Sequence, residues 1–166
     1  DLMKLYGANV IFISKEDGGF KKCVELALEF SLKHNGFLLN QFSNNYNVDA
    51  HYSTTANEII DKLNVDAFVS GIGTGGTLIG IGKRLKEKIP NIKIIGIEPY
   101  ESAYLTNHEI NSHGIQGIGM NQIPSFFDMS IIDQIEVIKT EDVICKTKKM
   151  LKSGYDLGIS SCANLL

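Results

Sequence analysis

The densest chemical content lies in seven consecutive residues, Gly71-Ile72-Gly73-Thr74-Gly75-Gly76-Thr77. They stand between a short apolar run, Asp66 to Ser70, and an amphipathic one, Thr77 to Lys88, where a strand would hand over to a helix. Backbone N–H groups at a helix N-terminus form an anion site, the helix dipole reinforces it, and glycines let a phosphate approach closely. The hydroxyls of Thr74 and Thr77 add donors. Four glycines in six residues exceed what a ligand-free β–α turn requires, so a phosphate site is the preferred reading. Which phosphate stays open on spacing alone. Gly71, Gly73 and Gly76 satisfy G-x-G-x-x-G, and Glu98 closes the next strand where a ribose-binding acid would sit, so a dinucleotide site is a rival. A kinase-type P-loop is excluded because no Lys-Ser or Lys-Thr follows the glycines.

Other reactive types are scattered. His34, His51, His108 and His113 share no ligand spacing and read as surface or loop histidines, so no metal site is expected. Cys23, Cys145 and Cys162 are odd in number and unpaired in spacing, which points to reduced thiols and a cytoplasmic setting. Cys162 reads as a small buried residue at a helix start, not as a nucleophile.

The elements that must hold the glycine run alternate regularly. Strands are predicted at Asn9–Ser14, Phe37–Leu39, Asp66–Ser70, Lys93–Glu98, Gln134–Lys139 and Asp156–Ile159. Helices are predicted over Phe20–Lys33 with a stop at Gly36, from a Ser53 or Thr54 cap through Leu63, over Thr77–Lys88 before Pro90, and from a Thr140 cap to Lys152. Strands separated by helices need crossover connections, so the fold class is α/β, a mostly parallel sheet with helices on both faces. Pro99 to Asp133 is too long for an ordinary connection and is expected to carry function, with Gly114, Gly117 and Gly119 bringing backbone close to something.

Bulk properties fit one domain's length. The chain has 166 residues, 43% hydrophobic and 21% charged, enough for a real core. A net charge of −3 with a single arginine, Arg84, argues against a nucleic-acid partner. No apolar run approaches a membrane span.

The run Gly71 to Glu98 resembles the cysteine synthase (O-acetylserine sulfhydrylase) branch of the pyridoxal-phosphate (PLP) β-family, fold type II, with a tryptophan synthase β-like fold. Flanking matches follow in the same order: Leu5-Tyr6-Gly7-Ala8, Gln41-Phe42, Thr54-Thr55, Ile115 to Gly119, Ile123-Pro124 and Gly158-Ile159-Ser160-Ser161. The resemblance implies that Gly73, Thr74, Gly75, Gly76 and Thr77 hold the phosphate of pyridoxal 5'-phosphate and that Ser160 bonds its pyridine nitrogen. It implies that Gln41 contacts a substrate carboxylate, Phe42 lines the site, and Gly117 brings backbone against substrate or cofactor. The family reaction is β-replacement: O-acetylserine loses acetate and sulfide adds to make cysteine. Small-molecule substrates, no nucleic acid, no membrane and a homodimer go with it.

The departures also set expectations. The family's Schiff-base lysine and its substrate-carboxylate loop have no counterpart here and are expected upstream, so the sequence reads as a fragment, inactive alone and without a catalytic residue of its own. Residues 1–36 would end the small N-terminal domain, and 37–166 would be the large, incomplete cofactor domain. Cys162 replaces a family glycine, and Asn44-Asn45-Tyr46-Asn47 replaces Asn-Pro-Ala-Asn. The alternatives are a decayed, phosphate-binding paralogue, a cystathionine β-synthase-like enzyme and the dinucleotide binder.

Overall fold

The computed structural model describes residues 2–166 and divides into two compact units, Asp1–Asn40 and Gln41–Leu166. The first unit contains a short helix α1 (Leu2–Leu5) and the sixteen-residue α2 (Gly19–His34). Helix α2 ends one residue before the expected glycine. Asn35 takes the left-handed conformation at φ 49°, and the Gly36 N–H bonds to Ser31 O at 2.8 Å. Asparagine tolerates that conformation better than other side-chain-bearing residues, so it serves as the stop.

The strands predicted at Asn9–Ser14 and Phe37–Leu39 do not form. A strand needs a neighbour for its backbone groups, and none runs beside these segments among the described residues. Their apolar content is correspondingly open: Ile11 is 69% and Phe12 78% exposed.

The second unit begins with a continuous helical stretch: α3 (Tyr46–Ala50), a π-helical turn (His51–Thr55) and α4 (Ala56–Lys62). Ser53 and Thr54 therefore lie inside a helix instead of capping one. Their hydroxyls bond back to Asp49 O and Ala50 O, as serine and threonine do in helix interiors. The start lies earlier, where the Asn44 side chain accepts the Tyr46 N–H at 3.0 Å.

Strands β1 (Ala67–Gly71) and β2 (Lys93–Pro99) flank α5 (Gly76–Lys88); the short α6 (Tyr104–Asn107) and β3 (Gln134–Ile138) follow. The sheet is parallel, in the order β1-β2-β3, with Val69 opposite Ile95 and Ile97 opposite Glu136. Period-two alternation assigns its faces. On one side Ile94 joins Leu78, Ile81 and Leu85 of α5, together with Ile72, Ala56 and Met120. On the other, Ile97 joins Val143 of α7 (Thr140–Lys152) and Cys162 and Ala163 of α8 (Ile159–Ala163). Helices on both faces of a parallel sheet are the architecture that the alternation predicts.

Two boundary readings are corrected. Thr140 opens α7 but does not cap it: its hydroxyl accepts the Gly114 N–H at 3.0 Å, and its own N–H donates to Glu101 Oε1 at 2.9 Å. Burial pushes the Glu101 carboxyl up, but hydrogen bonding, led by the Thr140 N–H, outweighs it and leaves the group below the usual glutamate range. The strand predicted at Asp156–Ile159 is absent; irregular chain leads to Gly158, the residue before α8. Ser160 is thus inside α8, one residue past its start.

Candidate cofactor site

Helix α5 starts without a side-chain cap. Gly75 precedes it in the left-handed conformation, φ 81°, which a glycine adopts without strain. The Ile79 N–H bonds to Gly75 O at 2.9 Å and the Gly76 N–H to Thr74 Oγ1 at 3.3 Å. Among the described residues nothing accepts from the N–H groups of Thr77 or Leu78. Two open donors at the positive end of a thirteen-residue helix suit an anion.

The glycines of this turn are also required by what surrounds it. A Cβ on Gly76 would overlap the Asn47 carboxamide, and one on Gly75 would overlap the Phe127 ring. One on Gly73 would stand 2.9 Å from Gly117 O. The turn is therefore clasped from three directions, and the long segment after β2 supplies two of them.

That segment is anchored to the sheet. The Gly119 N–H bonds to Ile72 O at 2.8 Å, and Ile115, Ile118 and Met120 are buried. Gly119 has φ 100°, with His113 Nε2 only 2.5 Å from where a Cβ would be; Gly117 has φ 96°. A Cβ on Gly117 would lie 3.8 Å from Ser160 Oγ, so this loop joins the phosphate turn to the start of α8. Ser160 is half-buried, and its hydroxyl makes no hydrogen bond among the described residues.

From the other side, the helix over residues 46–62 presents Asn47 and His51, one turn apart. Asn47 Nδ2 donates to Gln41 O at 2.9 Å and to Thr74 Oγ1 at 3.0 Å. His51 Nε2 lies 3.0 Å from Thr77 Oγ1 and its Nδ1 3.1 Å from Thr55 Oγ1. Each threonine hydroxyl of the turn is thus held by one of these side chains. His51 is not the surface or loop histidine that its spacing suggests. Its signal in the sequence is its place four residues after Asn47, on one helix face with it.

The structure brings Gly73, Thr74, Gly75, Gly76, Thr77, Gly117 and Ser160 into one neighbourhood, with the Gln41 backbone tied in through Asn47. The Gln41 side chain is exposed, and Phe42 beside it is half-buried. Asn47, His51 and Phe127 are the neighbours that motif reading leaves out. A cavity lined by Val69, Ile97, Cys145, Lys149 and Leu166 lies on the sheet face away from α5 and contains none of the turn's residues.

Glu98 discriminates between the two phosphate readings. It is fully buried at the end of β2. One carboxylate oxygen accepts the Leu105 N–H at 2.8 Å; the other accepts the Thr106 N–H at 3.1 Å and its hydroxyl at 2.9 Å. Fully buried and with both oxygens engaged in opening α6, Glu98 is not placed to bind a ribose. The remaining donor set of the turn, helix N–H groups and threonine hydroxyls, suits a phosphate monoester.

Comparison with known proteins agrees. The description "Pyridoxal-phosphate dependent enzyme" matches residues 1–166. Cysteine synthase B of Campylobacter jejuni is 41% identical over 167 residues, covering 99% of this chain and 56% of the relative. A hydrogen sulfide-producing enzyme of Fusobacterium nucleatum superposes with a TM-score of 0.88 at 44% identity, covering 99% of this chain and 55% of that one. A cysteine synthase of Entamoeba histolytica gives 0.91 at 39%, covering 99% and 49%. The chain spans about half the length of the relatives it matches. With the glycine turn, the Gly117 loop and Ser160 gathered at one end of a parallel sheet, this chain belongs to the pyridoxal-phosphate-dependent enzymes, on their cysteine synthase branch.

Proposed function

We propose that this chain supplies the phosphate-holding and ring-holding part of a β-replacement enzyme, which exchanges the acetate of O-acetylserine for sulfide to give cysteine. The observation that carries it is the uncapped α5 N-terminus, with its free Thr77 and Leu78 N–H groups and the Thr74 hydroxyl beside them. Gly73 to Thr77 hold the phosphate through backbone donors and the two threonine hydroxyls. Pyridoxal phosphate, when bound, supplies an electron sink that lets a β-substituent leave a serine derivative.

Ser160 would offer the ring nitrogen a neutral hydroxyl. A hydroxyl would not hold a proton on that nitrogen as a carboxylate would, which would favour β-elimination over transamination. Gln41 would bind the substrate carboxylate, Phe42 would line the site, and Gly117 would bring backbone against substrate or cofactor. Residues 1–36 belong to the end of a small domain and 37–166 to the cofactor domain. A cytoplasmic homodimer goes with this assignment; among the described residues no helix is long and apolar enough to cross a membrane.

Equilibrium dialysis of the full chain against pyridoxal phosphate, pyridoxal and NAD tests the cofactor assignment. Pyridoxal phosphate is expected to bind at least about tenfold more tightly than pyridoxal, because of the charge-assisted phosphate contacts. Preferential NAD binding would overturn it. Cysteine and acetate formed in equal amounts from O-acetylserine and sulfide by the whole protein would establish the reaction; release of pyruvate in place of cysteine would argue against replacement.

A further inference from the structure

We infer that Asn47 is a positioning residue that fixes the polarity of the Thr74 hydroxyl, making it a donor toward the phosphate. The inference rests on the assignment of Gly73–Thr77 as the phosphate site. The orientation of the Asn47 carboxamide is determined by its neighbours. Gln41 O is a backbone carbonyl and can only accept, so the atom 2.9 Å from it is the amide nitrogen. The same nitrogen stands 3.0 Å from Thr74 Oγ1 and donates its second proton there. The Gly76 N–H donates to that oxygen as well, at 3.3 Å.

A hydroxyl oxygen has two lone pairs and one proton. With Asn47 and Gly76 both donating to it, Thr74 has no acceptor capacity left. Its proton is directed away from both donors and, on the phosphate assignment, is free to be given to the anion. Without Asn47 the hydroxyl could rotate and present a lone pair to the phosphate, a repulsive contact. The carboxamide fits there only because residue 76 is glycine, since a Cβ at that position would overlap it. The same amide tethers the backbone of Gln41, so the residue assigned to the substrate carboxylate and the phosphate turn share one anchor.

Asn47→Asp reverses the polarity. A carboxylate accepts from Thr74, turns its lone pair outward and adds negative charge near the phosphate. Dissociation constants for pyridoxal phosphate and for pyridoxal are measured on the full chain, with unfolding midpoints taken without ligand. Asn47→Asp is expected to weaken pyridoxal phosphate at least about 100-fold, and Asn47→Ala about 10-fold. Pyridoxal, which has no phosphate, should be affected less than about twofold by either change, within the reach of a few tenths of a kcal/mol. In a Thr74→Val background, Asn47→Ala should add nothing further, since the hydroxyl it orients is gone. This cycle decides the matter even if the aspartate variant fails to fold. Equal losses for both ligands, or additivity with Thr74→Val, would overturn the inference while leaving the phosphate assignment standing. Wild-type protein that binds the two ligands equally would overturn both.

Discussion

Helices α2 and α5 are built from similar patterns and meet different surroundings. Each is amphipathic, begins after glycine and lacks a side-chain cap. Helix α5 buries seven of its thirteen residues, whereas α2 buries none of its sixteen. Their glycines differ in the same way. A Cβ on Gly75 or Gly76 would collide with Phe127 or Asn47, while Gly18 would meet only the neighbouring Lys22 side chain and Gly19 nothing within 4 Å. A glycine-led helix start is therefore not a binding site by itself. At α5 the turn is gripped by side chains from separate segments, and two of them, Asn47 and His51, hydrogen-bond its threonine hydroxyls. At α2 the glycines serve backbone conformation alone, with φ 103° and 54°.

The sharpest way to break this comparison is to truncate a leucine in each helix. Leu78 is fully buried among Ile72, Ile81 and Ile94. Leu78→Ala should cost about 3 kcal/mol in urea unfolding, by lost transfer energy and a residual cavity. Leu28 is 50% exposed, and Leu28→Ala should stay within about 0.5 kcal/mol. If Leu28→Ala costs as much as Leu78→Ala, the apolar face of α2 is covered in solution and the contrast between the helices collapses.

A smaller effect concerns the strand that borders the α5 layer. Asp133 Oδ2 accepts the Ile94 N–H at 2.8 Å, and Oδ1 meets Lys86 of α5 at 2.9 Å. The Ile94 hydrogen bond first, and then Lys86, hold its carboxyl below the ordinary aspartate value of 3.8. A depressed folded-state pKa means that the contribution is complete above pH 3.8 and disappears as pH falls through the lower folded value. Asp133→Asn should cost about 1–2 kcal/mol at pH 7. Its difference from wild type should shrink below pH 3.8 and vanish only once the pH has passed the lower folded-state value. A difference independent of pH would assign the role to packing and not to charge.

The phosphate turn was legible because its requirement is local: glycines, two threonines and a strand-to-helix handover lie within seven residues. The grip on that turn was not. Asn47 and His51 reach it from a helix that starts earlier than its Ser53 or Thr54 signal, and their partners Thr74 and Thr77 lie 27 and 26 residues away. Phe127 gives no signal at all, since its role is to fill the space over Gly75. Helix interiors were read well from periodicity, whereas Asn9–Ser14 and Asp156–Ile159 have strand composition but no strand beside them. Composition cannot specify a neighbour. Glu98 was legible as an acid closing a strand but not in its role, because the Leu105 and Thr106 N–H groups meet its carboxylate only once α6 turns back toward it.

The smallest expected effect lies at the other end of the two helices. Helix α5 stops by leaving the helical region at Ile89, φ −131°, just before Pro90, which needs no left-handed residue. Helix α2 stops at Asn35, φ 49°, with the N–H groups of Asn35 and Gly36 both directed at Ser31 O. An alanine held left-handed costs about 1 kcal/mol, so Asn35→Ala should destabilise α2 by about that amount. Asn35→Gly relieves the conformational cost but gives the unfolded chain more freedom, and the two nearly cancel, leaving about 0.5 kcal/mol or less. Amide hydrogen exchange at Asn35 and Gly36, the two donors of the stop, reads both changes directly. Faster exchange in Asn35→Ala with little change in Asn35→Gly is the expected pattern. Unchanged exchange in Asn35→Ala would mean that the last turn of α2 is already open in solution, and the difference between the helices would then extend from their faces to their ends.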